Sequence, residues 1–160
     1  MHGNTLRNPS RRQALRLVAA GIVAAGAVPY GRAAQAARPQ VIVYKSPECG
    51  CCGLWTAHLR QSGFGVRVID LDDLTTIKRQ AQVPVNLEAC HTAFIDSYVV
   101  EGHVPAAAID RLLADRPQVI GIAVPGMPAG APGMPGAERE PFDAVAFAAD
   151  GRQTLFMHFR

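Results

Sequence analysis

The chain has 160 residues, and its first 36 read as a targeting segment, so residues 37–160 are expected to form one small domain around a single core, with no second domain. Formal charge over the whole sequence is +3, from 16 Lys and Arg against 13 Asp and Glu. Arg7, Arg11, Arg12, Arg16 and Arg32 all precede the expected cut and no acidic residue does, which leaves 11 basic against 13 acidic residues and a net −2. That balance argues against nucleic acid as a partner.

The targeting segment has a basic start, an apolar run from Leu17 to Val28, and small residues at Ala34-Gln35-Ala36 that suit cleavage between Ala36 and Ala37. Ser10-Arg11-Arg12-Gln13-Ala14-Leu15-Arg16 resembles the twin-arginine export consensus, with Ala14 where a Phe is usual. That route carries folded proteins and suits a cofactor loaded before export. A general secretory signal or an uncleaved anchor is the alternative, although the apolar run is short for a membrane span. The expected location is the periplasm, with no stable membrane insertion after cleavage.

Val41-Ile42-Val43-Tyr44 is a β-branched and aromatic run ending at Ser46-Pro47, which predicts a strand feeding a loop. Cys49-Gly50-Cys51-Cys52 follows at once. Leu54 to Leu59 fits a helix, with Leu54, Ala57 and His58 or Leu59 at helical spacing and Ser62-Gly63 at its end. Val66 to Ile69 predicts a second strand, and Asp72 or Asp73 can cap a second helix through Leu74 and Ile77 to about Gln80. His91 to Ile95 and Tyr98 to Val104 read as strands joined at Asp96-Ser97. Pro105 opens a third helix whose apolar face carries Ile109, Leu112 and Leu113, closed by Arg116-Pro117.

The resulting order, β-α-β-α-β-β-α, is that of a thioredoxin-like fold: a three-layer α/β domain with a mixed sheet. Pro125 to Gly136 is a low-complexity loop too long for a turn. Asp150-Gly151, between Ala144–Ala148 and Gln153–Phe159, predicts a C-terminal β-hairpin appended to the core sheet.

Three of the four cysteines lie within four residues, at the start of the predicted first helix. Thiolates are favoured there, because free backbone N–H groups and the helix dipole stabilise negative charge. Cys49 and Cys52 make a Cys-x-x-Cys dithiol, which keeps a thiol–disulfide oxidoreductase open. Cys51 is superfluous to that chemistry and suits a site that gathers several sulfurs around a soft metal, with Cu(I) favoured over zinc. A structural disulfide, Cys49–Cys52 or Cys51–Cys90, is the bland alternative.

The fold assignment sets Cys90 and His91 opposite this loop, where thioredoxin-like proteins carry a cis-proline. A buried apolar role for Cys90 is the alternative. His91 and His103 are candidates for ligation or for orienting ligands, whereas His58 and His158 rank below them. Met127 and Met134, each in a Pro-Gly-Met-Pro context, are candidate soft-metal ligands or parts of a lid, or simply pack the loop. Trp55 suits the core or the rim of the site, and Lys45 and Glu48 flank the cluster and could tune its charge, although ordinary solvated side chains are the favoured reading.

Val43 to Gly53 (VYKSPECGCCG), Ala89 to Ala93 (ACHTA), Glu101 to Ala106 (EGHVPA) and Ala123 to Pro128 (AVPGMP) together resemble the CopG-like family of periplasmic copper-resistance proteins. The likeness runs from about Val41 onward. The resemblance implies a thioredoxin-like fold, a cysteine-bridged multicopper site and interconversion of Cu(I) and Cu(II). It makes Cys49, Cys51, Cys52 and Cys90 the ligand cysteines, with lesser claims for His103 and the loop methionines. The implied partners are copper ions and copper-export or copper-delivery proteins of the periplasm. A copper oxidoreductase and a copper chaperone without redox change both stay open.

Overall fold

The structure is a computed structural model that describes residues 38–134, 136 and 140–160. The expected export segment, residues 1–36, therefore lies outside the described residues. The chain divides into Met1–Gln35 and Ala36–Arg160, and every described residue belongs to the second unit.

That unit runs β1 (Val41–Lys45), α1 (Gly50–Gln61), β2 (Val66–Asp70), α2 (Thr75–Gln80), a 3-10 turn at Val85–Leu87, β3 (His91–Ile95), β4 (Tyr98–Gly102), α3 (Ala106–Asp115), β5 (Gly121–Val124), β6 (Phe142–Phe147) and β7 (Gln153–Phe159). It is a mixed α/β structure with one seven-stranded sheet in the order β2-β1-β3-β4-β5-β6-β7. β1 pairs in parallel with β2 and antiparallel with β3, β3 with β4 is antiparallel, and β4 with β5 is parallel across the α3 connection. The expected hairpin β6–β7 turns at Asp150-Gly151 and joins the sheet through β5.

Alternation along the strands sends side chains to two faces, and both are covered. Val41, Val43, Ala93, Ile95, Val100 and Ile122 pack with Trp55 and Leu59 of α1 and Ile109 and Leu112 of α3. On the other face Val99, Ala123 and Phe147 pack with Ala81, Val83 and Leu87, which follow α2.

Two expected boundaries need correction, and one strand is additional. α1 begins at Gly50, inside the cysteine cluster, rather than at Leu54. Its buried residues are consequently Cys52, Trp55, Thr56 and Leu59, and Leu54 points out, 59% exposed. Ile120 to Val124, assigned to no element above, supplies β5, a strand buried along its whole length. Such a short continuous apolar run lacks the alternation that marks a half-exposed strand. The second strand of the β3–β4 pair ends at Gly102 rather than Val104, since Gly102 takes a left-handed φ of 73° and turns the chain out of the sheet.

Candidate metal centre

Register explains why residues far apart in sequence meet. Lys45, the last residue of β1, pairs with His91, the first of β3, so Cys90 enters the sheet beside the loop leading from β1 into α1. Thr92 pairs with Glu101, and Gly102 pairs with Val124, so His103 and the segment after β5 leave from the same edge. The cysteine loop, Cys90-His91, His103 and the Pro-Gly-Met loop are thereby gathered at one end of the sheet.

The sulfurs of Cys49, Cys51, Cys52 and Cys90 all lie within 4.8 Å of one another. Cys49 occupies the N-cap position of α1, whose first turn holds no acidic residue. Of the two pairings open in the sequence, the structure has the Cys49–Cys52 disulfide, and Cys51 and Cys90 are free. Cys51 Sγ stands 3.5 Å from Cys49 Sγ, and Cys52 Sγ stands 3.8 Å from the Cys90 carbonyl oxygen. Burial, reinforced by the neighbouring Cys51, pushes the Cys90 thiol up to about 12.

Cys90 belongs to a second grouping as well. One donor atom each from Cys90, His91 and His103 again lie within 4.8 Å of one another. Cys90 Sγ is 3.3 Å from His91 Nδ1 and 3.1 Å from His103 Nε2. Both rings are fully buried. Burial pushes His91 down to about 3, and it lowers His103 against the opposing pull of the Pro132 carbonyl, so both are neutral imidazoles at pH 7.

His103 Nδ1 lies 2.7 Å from the Pro132 carbonyl, which can only accept, so Nδ1 carries the proton. Its Nε2 is left with a lone pair facing the Cys90 sulfur. His91 Nε2 is buried with no hydrogen-bond partner, a costly condition for a polar atom unless something else satisfies it. A soft sulfur set beside bare imidazole nitrogens is a donor set that fits copper.

The same Pro132 contact fastens the Pro-Gly-Met loop over the site. Gly133 lies so close to α1 that an added Cβ would come within 2.6 Å of the Trp55 nitrogen and 2.8 Å of the Cys51 oxygen, and its φ is +84°. Met134 follows it, partly buried, with its N–H donating to Ala131 O. Met127 is 43% exposed. Trp55 is core: its ring lies 4.2 Å from that of His91, and its Nε1–H donates to Val104 O at 2.8 Å. Lys45 is partly buried and paired with Asp70 at 2.9 Å rather than solvated.

Two features of this end were not foreseen from the residues alone. Glu101 is fully buried and paired with Lys78 of α2 at 2.5 Å, with Thr92 and the Ala89 N–H as further partners. Burial pushes its carboxyl up, and Lys78 opposes that shift. The available signal was a lone charge in Tyr98-Val99-Val100-Glu101-Gly102, an otherwise uncharged strand. His58 accepts the Ala106 N–H at 3.2 Å and so caps α3, a role visible only once the helices are packed.

A family model described as "Protein of unknown function, DUF411" matches residues 87–134. A solved structure described as "Copper resistance protein copG- Form 2" is 36% identical to the chain, which covers 99% of it, while the match spans 77% of this chain with a TM-score of 0.73. The chain belongs to the CopG-like family. A second CopG structure, Form 1, agrees at 36% identity and a TM-score of 0.72, with 98% of it and 76% of this chain covered. Comparison with curated protein sequences gives no match. The stretch matched by the family model carries Cys90, His91, Glu101, His103 and the loop up to Met134.

Proposed function

We propose that this chain is a periplasmic copper-resistance protein that holds Cu(I) in a multi-cysteine site and interconverts Cu(I) and Cu(II) there. The observation that carries the reading is the convergence of four sulfurs within 4.8 Å, one of them, Cys90, shared with His91 and His103. Thiolates favour Cu(I), whereas imidazole nitrogens also suit Cu(II), so a site with both donor classes suits both valences. Likeness to the two CopG copper-resistance structures supports copper resistance as the setting. The order β2-β1-β3-β4, with its parallel β1–β2 and antiparallel β3 and β4, supports a thioredoxin-like core beneath the site.

The four cysteines are the proposed principal ligands, His91 and His103 the proposed nitrogen donors, and Met127 and Met134 the outermost candidates. Closure of the Cys49–Cys52 disulfide releases two electrons and two protons, enough to reduce two Cu(II) to Cu(I), and its reopening runs the other way. Export through the twin-arginine route, and transfer to copper-export or copper-delivery proteins, belong to the same proposal.

Anaerobic titration of the reduced, signal-free protein tests it. The chain is expected to bind more than one Cu(I), and Cys51→Ser to bind less than wild type. Absence of copper binding in the presence of a modest competing chelator would overturn the reading. The Cys49–Cys52 disulfide at a helix start also favours a second reading, a thiol–disulfide oxidoreductase. Robust insulin reduction by metal-free protein, surviving Cys51→Ser, is the outcome that would select it.

A further inference from the structure

Lys78, Thr92 and Glu101 form a buried polar cluster behind the metal centre. Lys78 Nζ donates to Glu101 Oε1 at 2.5 Å and to Thr92 Oγ1 at 3.1 Å. A buried ion pair is weak evidence of stabilisation, because well-packed apolar residues of similar volume often do as well or better. The other bonds of the carboxylate are therefore the informative ones.

Glu101 Oε1 also accepts the Ala89 N–H at 2.6 Å, and Oε2 accepts the Thr92 hydroxyl at 2.7 Å. Ala89 immediately precedes Cys90-His91 and Thr92 immediately follows. One carboxylate on β4 thus holds the chain on both sides of that dipeptide. Gly102, the next residue, permits the approach, since a Cβ there would stand 2.7 Å from the Ala89 Cβ. The segment so held carries the sulfur that faces His103 and the carbonyl that faces Cys52.

We infer that Glu101 is a positioning residue for Cys90: through the Ala89 N–H and the Thr92 hydroxyl it sets where the Cys90 sulfur stands against the cysteine loop and His103, and Lys78 balances its charge. The copper consequence rests on the function proposed above, but the placement of the thiol does not.

Two double variants separate positioning from core stability. Lys78→Met with Glu101→Leu removes the charges and the two ties together, and is expected to melt within about 4 °C of wild type, a shift worth about 1 kcal/mol. In the reduced, metal-free protein its Cys90 should nevertheless react with iodoacetamide about fivefold faster, read by peptide mass mapping, because loss of a buried hydrogen-bonded tie raises local opening by about that factor. Its Cu(I) affinity, measured against a competing chelator, should fall about tenfold. Lys78→Met with Glu101→Gln should return both quantities to within about twofold of wild type, since an amide can still accept from Ala89 and bond to the Thr92 hydroxyl.

A folded Lys78→Met/Glu101→Leu protein whose Cys90 reacts at the wild-type rate would overturn the inference. If that protein does not fold, Thr92→Val, which cuts one tie and leaves the ion pair, takes its place. Faster Cys90 alkylation in Thr92→Val supports positioning, and an unchanged rate overturns it. Absence of copper binding in every protein, wild type included, would defeat the proposed function and leave the alkylation comparison to decide this inference alone.

Discussion

The metal centre and the C-terminal hairpin distribute their residues in opposite ways. At the metal centre, His91, His103, Glu101 and Thr92 are fully buried and Lys78 nearly so. On the C-terminal hairpin, Leu155 is 64% exposed, the stacked Phe142 and Phe159 rings are only partly covered, and the Asp143–His158 pair lies at the surface. An exposed leucine costs little, but each buried polar group must find partners or weaken the fold. Effort is therefore concentrated at the centre, where, of the buried side-chain nitrogens and oxygens among the described residues, His91 Nε2 alone is left without a partner. The hairpin's outer strand β7, which has no fully buried residue, extends the sheet under much weaker constraint.

The largest expected break in this contrast is Cys90→Ser. Cys90 belongs to both donor groupings, so its loss should leave less than about half of the wild-type copper at full loading, whereas removing a ligand found in only one grouping should be milder. Anaerobic metal analysis of the two variants side by side checks this. Next is a pair of apolar truncations. Trp55→Ala, in the core against His91, should cost about 3–5 kcal/mol in denaturant unfolding, and Leu155→Ala should stay within about 0.5 kcal/mol of wild type.

The smallest effect concerns His58. Burial lowers its pKa below the usual histidine value, and it must be unprotonated to accept the Ala106 N–H. The native state therefore binds fewer protons than the unfolded chain just below neutrality, so this contribution is full above about pH 6.5 and is lost as pH falls through the lowered native value. Urea midpoints of the metal-free protein between pH 7 and pH 5 should decline less in His58→Gln, which keeps an acceptor without a titrating ring. The difference should be under about 1 kcal/mol.

Much of this was legible from residues alone. The strand ending at Ser46-Pro47, the hairpin at Asp150-Gly151 and the dense cysteines each carry a local signal, and local signals survive folding. Asp73 Oδ1 accepts the Thr75 N–H at 2.8 Å, although the N-cap position of α2 is taken by Leu74. Cys90 and His91 could be set opposite the cysteine loop because element order alone implies which strand ends adjoin.

The features that carry no local signal depend on pairing across long separations. Lys78 and Glu101 each look solvated until α2 is laid against β3 and β4. β5 has no alternation to read, because both of its faces are covered. Gly50 to Gly53, with two glycines among four residues, reads as loop, yet α1 starts there and turns Cys52 inward.

Gly102 limits how the centre could be transplanted. Grafting Cys49, Cys51, Cys52, Cys90 and the histidines onto another scaffold would copy the donor atoms and omit the missing side chain that lets Ala89 close on β4. A host strand carrying even an alanine at that point would hold Cys90 away from its partners, so the smallest portable unit is this pair of strands with its glycine, and not the set of ligands.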